Sequence, residues 1–141
     1  MITWKTDIKT AHIVLIISDQ PENVVSWSTL FSQRNCIILS ESVVSDAVQS
    51  ARLINPSLIL IDLELPKDKR ASILANLRSI CRAPILMLVT ANTVDEIIEA
   101  NHAGADECLV KPVNPAVLVV KATAWLGHHT GRLRAPVGIT L

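Results

Sequence analysis

Short apolar runs recur along the chain at intervals that suit the strands of a buried sheet. They occupy residues 13–17, 36–39, 58–61, 85–89 and 108–110. Each run is rich in aliphatic side chains and lacks the strict alternation of apolar and polar residues that a half-exposed strand shows. Such runs are typical of parallel strands with both faces covered, so the pattern predicts five buried strands.

Between these runs, apolar residues recur at helical spacing. One predicted helix opens near Pro21, a second ends at Asn55, a third carries Ile73 and Leu77, a fourth stops at Gly104, and a fifth follows Pro115. Strands that alternate with helices are joined by parallel crossovers, which are right-handed almost without exception. We therefore predict an α/β fold, a flavodoxin-like, doubly wound five-stranded parallel sheet with strand order 2-1-3-4-5.

The end of the chain has a different character. After Gly127 the apolar periodicity is lost and turn-forming residues become frequent. We predict one domain of ordinary size over residues 1–127, followed by a linker or tail over residues 128–141.

Composition and charge argue against several classes of protein. Half of the residues are apolar, but no apolar stretch approaches the ~20 residues that span a bilayer. Residues 1–9 lack a long apolar core, so we expect no signal peptide there. We therefore expect a cytoplasmic protein that does not bind membranes. Thirteen basic residues balance thirteen acidic ones without forming a basic block, so this domain alone is not expected to bind nucleic acid. The three cysteines and four histidines show no spacing typical of a disulfide framework or a zinc site.

The residues that directly follow three of the predicted strands carry the candidate chemistry. Ser18 and Asp19 follow the first strand, Asp62 the third, and Lys111 the fifth. In the predicted topology these strand ends meet at one edge of the sheet, where open parallel sheets bind their ligands. Two carboxylates and one ammonium suit phosphoryl chemistry, with Asp62 as nucleophile, Asp19 as a metal ligand and Lys111 as the phosphate partner.

The same stretches resemble the receiver domain of the response regulators of two-component signalling. The matching segments are IVLIISDQPE at 13–22, NPSLILIDLELP at 55–66 and AGADECLVKPVNP at 103–115. The resemblance implies that Asp62 accepts a phosphoryl group from a histidine kinase, that Asp19 and the Glu64 backbone carbonyl hold Mg²⁺ with Asp62, and that Lys111, before a cis proline, contacts the phosphate. Such a protein is no enzyme beyond its own phosphorylation and dephosphorylation.

The sequence departs from the family at the metal and switch positions. The family carries two adjacent acids after the first strand, whereas this chain has Ser18 before Asp19, so the Mg²⁺ site is expected to be weakened. Counting back from Gly104 puts Val89 at the family's switch Thr or Ser, one residue before Thr90. Because a slip of one residue moves a side chain to the other face of a strand, Thr90 is the switch residue only if the loop absorbs one residue.

Two further departures mark an atypical receiver. Cys108 stands where the family has an aromatic residue, and we expect it to serve as a small buried hydrophobe. After the third strand, the charged residues 67–70 replace a glycine-bearing loop.

The resemblance also implies partners. A homodimer is expected through helix 4, strand 5 and helix 5, because residues 117–120 are apolar on all sides and Trp125 follows them. Residues 133–141 resemble the linker and first strand that lead into a winged-helix DNA-binding domain. DNA would then be contacted only through a separate output domain.

Three alternatives remain open at this point. One is a pseudo-receiver of the same fold, which dimerises or docks without phosphorylation. Another is a haloacid-dehalogenase-like phosphohydrolase, because Asp62-Leu63-Glu64 is similar to that family's Asp-x-Asp, although its nucleophile follows the first strand. A third, a flavin-binding module, lacks a Ser/Thr/Gly-rich phosphate loop after the first strand.

Overall fold

The computed structural model describes residues 10–90 and 93–132, with side chains as far as Leu126. Its strands are β1 (His12–Ser18), β2 (Cys36–Glu41), β3 (Leu58–Asp62), β4 (Ile85–Val89) and β5 (Glu107–Val110). Its helices are α1 (Pro21–Ser32), α2 (Val44–Ile54), α3 (Lys67–Ile80), α4 (Val94–His102) and α5 (Pro115–Arg132). The predicted alternation of strands and helices is confirmed.

The strands form one parallel sheet in the order β2-β1-β3-β4-β5, as the sequence predicts. β3 is central and pairs with β1 on one side and β4 on the other. The register places Ser18 beside Asp62 and Val89 beside Val110. The carboxyl ends of these strands therefore lie along one edge of the sheet, where the candidate site is expected.

Helices cover the sheet in two layers. On one face, α1 and α5 bury Trp27, Phe31 and Leu118 against the strands. On the other face, α2, α3 and α4 bury side chains that include Ala51 and Leu74. All five residues of β3 are buried, because β3 has a neighbouring strand on each side and helices on both faces. Among the described residues, none of the helices combines the length and apolar composition that a bilayer crossing needs.

The prediction of complete burial is wrong for the two edge strands, β2 and β5. Ile37 of β2 is 39% exposed and Val110 of β5 is 38% exposed. β2 buries only Cys36 and β5 only Leu109. An edge strand has a neighbour on one side only, and an apolar run does not itself report where its strand lies in the sheet.

The predicted ends of the second and fourth helices are confirmed. Asn55 caps α2 in the left-handed conformation, with φ of 49°, which asparagine tolerates better than most residues. Gly104 follows α4 with φ of 122°, a backbone conformation that side chains with a Cβ rarely adopt.

Two segments that the sequence pattern leaves outside the predicted helices are helical in the structure. Residues 67–70, expected to replace a loop, form the first turn of α3, where Arg70 N–H donates to the Pro66 carbonyl over 2.8 Å. Asp68 in that turn is favourable at the positive end of the helix dipole. α5 continues past Gly127 to Arg132, because a glycine costs a helix only about 1 kcal/mol and does not by itself end it. The rest of the predicted linker or tail, residues 133–141, lies outside the described residues.

The α1–α5 layer gives a test of the core. We expect Phe31→Ala to lower the free energy of unfolding by about 3–5 kcal/mol, because it removes a fully buried ring and leaves a cavity. Val25→Ala on the same helix, where Val25 is 67% exposed, should change it by no more than about 0.5 kcal/mol. Urea denaturation followed by circular dichroism measures both, and equal losses would contradict this packing.

Candidate functional site

The site lies at the carboxyl end of β3, where an acidic side chain ends an apolar strand. Asp62 is fully buried, and Ser18, its register partner on β1, is 4% exposed. Among the described residues, these two are the buried polar or charged ones. A buried charge is costly unless it is paired and hydrogen-bonded, so the contacts of Asp62 are central to the fold as well as to the site.

Three side chains donate hydrogen bonds to Asp62. The Lys111 ammonium donates to Oδ1 over 2.8 Å. Ser18 Oγ donates to Oδ2 over 2.9 Å, and Asn23 Nδ2 donates to the same oxygen over 3.3 Å. Both oxygens therefore have partners, and the charge of the carboxylate is balanced by the ammonium.

Strand alternation explains why these groups meet. Successive side chains of a strand point to opposite faces, so residues two apart share a face. Asp62 lies two residues after Leu60, and Ser18 two residues after Ile16, both in the core under α1 and α5. Lys111 follows Leu109 of the same core at the same spacing. The sequence therefore brings these polar groups to one face at one end of the sheet.

Asn23 is a site residue that the strand-end pattern does not predict, because it lies on a helix. It lies in the first turn of α1, four residues before Trp27, which in turn lies four residues before Phe31. Both aromatic side chains are buried, and residues four apart share one face of a helix. A polar residue at the start of such an apolar stripe points towards the end of the sheet, and this was the signal available in the sequence.

Lys111 is held from several directions. Its peptide bond with Pro112 is cis, as predicted, and its backbone N–H donates to the Val89 carbonyl over 2.9 Å. Burial alone would lower the pKa of the Lys111 ammonium, but hydrogen bonds and charges from Asp62 and Glu64 outweigh burial and raise the pKa. The contribution of these contacts to the stability of the fold is fully present below the ordinary lysine pKa of about 10.4. It is lost as pH rises through the raised pKa of Lys111 and the ammonium loses its proton.

The side chain of Glu64 forms a second group of contacts beside Lys111. Its Oε2 lies 3.2 Å from Lys111 Nζ and accepts a hydrogen bond from Thr90 Oγ1 over 3.0 Å. Val89, at the counted switch position, is buried in the core under α2, α3 and α4. Thr90 thus reaches the carboxylate beside Lys111 although it follows the strand by one residue. The resemblance described for the sequence implies a role only for the backbone carbonyl of Glu64.

Asp19 lies at the rim of the site. Its carboxylate is exposed and accepts a hydrogen bond from Gln20 Nε2 over 3.2 Å. The N-cap of α1 is Gln20, whose backbone N–H donates to Ser18 Oγ over 3.0 Å. Ser18 therefore accepts from Gln20 while it donates to Asp62, and Asp19 is left facing solvent.

The donor set fits a sparsely coordinated Mg²⁺. This ion takes one or two protein carboxylates and fills the remaining positions with water and phosphate oxygens. The candidate ligands are the carboxylates of Asp19 and Asp62 and the backbone carbonyl of Glu64. They lie at the carboxyl ends of β1 and β3, which are adjacent strands. Within residues 10–90 and 93–132, no group of three or more His, Cys, Asp or Glu side chains is arranged to hold a metal. The residues suit an ion that shares its ligands with water and phosphate rather than a metal in a complete protein cage.

The cysteines lie in or against the cores. Cys36 and Cys81 are buried and Cys108 is partly buried, packed against the core under α2, α3 and α4. Burial raises the pKa of all three thiols. A thiol with a raised pKa stays protonated at neutral pH and is a poor nucleophile, so Cys108 acts in packing, as expected.

The family profile and the curated relatives that match this chain both belong to response regulators. Residues 14–123 match the sequence profile of the response regulator receiver domain. The transcriptional regulatory protein KdpE of Mycobacterium tuberculosis is 25% identical over 127 residues, covering 89% of this chain and 56% of that protein. The chain spans about half the length of the curated relatives that it matches.

Solved structures share the fold. The receiver domain of a Luxo repressor protein from Vibrio parahaemolyticus superposes with a TM-score of 0.75 at 21% identity, covering 89% of this chain and 98% of that one. The receiver domain of a sensor histidine kinase from Pseudomonas aeruginosa, solved with magnesium coordinated in its active-site cleft, has a TM-score of 0.66 at 24% identity. It covers 84% of this chain and 99% of its own. At these identities the likeness establishes the fold alone.

The interaction free energy between Asp62 and Lys111 can be measured by a double-mutant cycle. We expect Lys111→Met to lower the free energy of unfolding by about 1–3 kcal/mol, because it leaves a buried carboxylate without its cation. With Asp62→Asn already present, the same change should cost less, giving a coupling of about 0.5–3 kcal/mol. The more exposed pair Lys121 and Glu107, 3.7 Å apart, is the control and should couple more weakly than Asp62 and Lys111, by about 1 kcal/mol or less. Equal coupling in the two pairs would contradict the assigned burial.

Proposed function

Because the chain belongs to the response regulator receiver domain family, we propose that Asp62 accepts a phosphoryl group from a histidine kinase and thereby switches a downstream output. The observation that carries the proposal is the buried Asp62 carboxylate at the end of the central strand, 2.8 Å from the Lys111 ammonium. The family is one of signalling proteins, so the phosphohydrolase and flavin-module alternatives lose their support.

The proposed transfer uses groups that are already positioned. A carboxylate oxygen of Asp62 attacks phosphorus, a P–O bond forms, and the P–N bond of the donor phosphohistidine breaks as its imidazole leaves and takes up a proton. Charge on the phosphoryl oxygens is stabilised by the Lys111 ammonium. Ser18 and Asn23 fix the orientation of the carboxylate through Oδ2 before the donor arrives, which lowers the entropic cost of the reaction.

Asp19, Asp62 and the backbone carbonyl of Glu64 are the residues proposed to hold Mg²⁺. When bound, the ion supplies positive charge that neutralises phosphoryl oxygens. Ser18 offers a hydroxyl where the family carries a second acid, so the site has one negative charge fewer to attract the cation. We propose that the affinity for Mg²⁺ is correspondingly lower than in a receiver with two adjacent acids.

The proposed output is transcriptional. KdpE of Mycobacterium tuberculosis is a transcriptional regulatory protein, and this chain covers 56% of its length. A receiver that forms about half of such a regulator would control DNA binding by a separate output domain. The segment proposed to lead to that domain, residues 133–141, lies outside the described residues.

A homodimer through α4, β5 and α5 is the second part of the proposal. Exposed apolar side chains on these elements are Val94, Ile98, Val110, Val117 and Val120, each between 38% and 70% exposed. A group of exposed apolar side chains on adjacent elements is typical of an interaction surface. Val117 and Thr123 stand where related receivers often carry charges, so this dimer would depend mainly on hydrophobic contact.

One observation favours a second candidate, a receiver fold that docks or dimerises without phosphorylation. Both oxygens of Asp62 are already partnered by Lys111, Ser18 and Asn23. The carboxylate is thereby satisfied without metal or phosphate, which would suit a permanently unphosphorylated module. The labelling experiment below distinguishes the two candidates.

Intact-mass measurement after incubation with Mg²⁺ and acetyl phosphate tests the phosphoacceptor. We expect a single phosphoryl adduct on the wild type, labile to hydroxylamine as an acyl phosphate is, and no adduct on Asp62→Asn. The exposed Asp68→Asn is the matched control and should be labelled like the wild type. Absence of the adduct under conditions that label an ordinary receiver would favour the unphosphorylated module.

Sedimentation analysis in the presence of the phosphoryl donor tests the dimer surface. We expect Val120→Asp to raise the dimer dissociation constant at least about tenfold, because it places a charge in an apolar interface. The control is Leu53→Asp on α2, where Leu53 is 73% exposed outside the proposed interface and should leave the constant unchanged. Equal effects of the two substitutions would place the interface elsewhere.

A further inference from the structure

In the proposed phosphoryl transfer, Glu64 contributes only its backbone carbonyl, as a ligand of Mg²⁺. The side-chain carboxylate of Glu64 has no role in that transfer. Its Oε2 lies 3.2 Å from Lys111 Nζ and accepts the Thr90 hydroxyl hydrogen bond over 3.0 Å. One oxygen of a resident anion is therefore shared by the ammonium that would stabilise the phosphoryl group and by the candidate switch hydroxyl.

The Glu64 carboxylate and the Asp62 carboxylate share one cation, Lys111. Lys111 Nζ contacts Asp62 Oδ1 over 2.8 Å and Glu64 Oε2 over 3.2 Å, so one ammonium bridges the two carboxylates. A phosphoryl group on Asp62 would present oxygens of the same charge to the same ammonium. Two anions beside one cation repel each other, so the Glu64 carboxylate and the phosphoryl oxygens would compete for Lys111.

The backbone around Glu64 is anchored, whereas its side chain is free to leave. Leu63 and Leu65 pack against the core under α2, α3 and α4, and Arg70 donates to the Leu65 carbonyl over 3.4 Å. The Glu64 side chain between them is 67% exposed. Release of the carboxylate would therefore need rotation about side-chain bonds only, into solvent that can hydrate it.

We propose that Glu64 is a tethered anion that occupies the phosphoryl-oxygen position on Lys111 and Thr90 and must be displaced when Asp62 is phosphorylated. This inference rests on the proposed function of Asp62. It assigns to Glu64 the role of a residue that sets how readily the site takes up a phosphoryl group. It also explains how Thr90, one residue past β4, is held towards Lys111 before any phosphoryl group arrives.

Glu64→Gln is the most direct test, because it removes the charge and keeps the size and a hydrogen-bond acceptor for Thr90. Beryllofluoride, an inorganic analogue of the phosphoryl group, is titrated with Mg²⁺ into each protein by calorimetry. We expect about two- to fivefold tighter binding to Glu64→Gln than to the wild type, the size that loss of an exposed ion pair allows. Asp68→Asn, which removes one exposed acid from the first turn of α3, is the matched control and should bind like the wild type.

A second measurement needs no phosphoryl analogue. In nuclear magnetic resonance spectra of the free proteins, Glu64→Ala should shift the signals of the Thr90 methyl group and the Lys111 ε-methylene group, and Asp68→Asn should not. Unshifted signals in Glu64→Ala would overturn the contact and the proposal with it.

The outcomes separate this inference from the proposed function. Beryllofluoride binding of equal strength by the wild type and Glu64→Gln would reject the competition while leaving Asp62 as phosphoacceptor. Binding by neither protein would reject Asp62 as phosphoacceptor, and the competition with it, even if the Thr90 and Lys111 signals moved. Tighter binding by Glu64→Gln, or binding by that variant alone, would support both.

Discussion

The charge of Asp62 is the constraint on which the rest of the site depends. β3 is the central strand and is otherwise apolar, so its final residue places a carboxylate in an environment that excludes water. The fold tolerates that charge because β1, α1 and the loop after β5 each bring a donor to it: Ser18, Asn23 and Lys111. The strand order makes this possible, since it places β1 directly beside β3 and lets the loop after β5 reach the same edge.

The polar side chains at this edge form one connected series. Ser18 and Asn23 contact Asp62, Asp62 contacts Lys111, Lys111 contacts Glu64, and Glu64 contacts Thr90. The series runs from α1 and β1 through β3 and the loop after β5 to the end of β4. In the unphosphorylated site, the Glu64 side chain therefore lies between Lys111 and Thr90.

Much of the fold could be predicted because burial leaves a mark on the sequence. The apolar runs located all five strands, and helical spacing with Pro, Asn and Gly located one end of each of four helices. Where the structure goes beyond the sequence pattern, the causes are physical. A charged segment such as residues 67–70 suits a loop and the exposed first turn of a helix equally well, and Gly127 weakens a helix without ending it. The exposure of β2 depends on its place at the edge of the sheet, which an apolar run cannot report.

The sequence by itself determined which chemical groups stand at the strand ends: Asp62, Lys111 and Ser18, with Asp19 beside them. This follows because a parallel α/β sheet brings its carboxyl ends to one edge whatever the details of packing. Only the tertiary structure decided which of these groups touch. It turned Asn23 of α1 towards Asp62, left Asp19 facing solvent, and set the Glu64 side chain between Lys111 and Thr90. Contacts of this kind depend on helix orientation and on side-chain rotation at residues far apart in the chain, which no local pattern encodes.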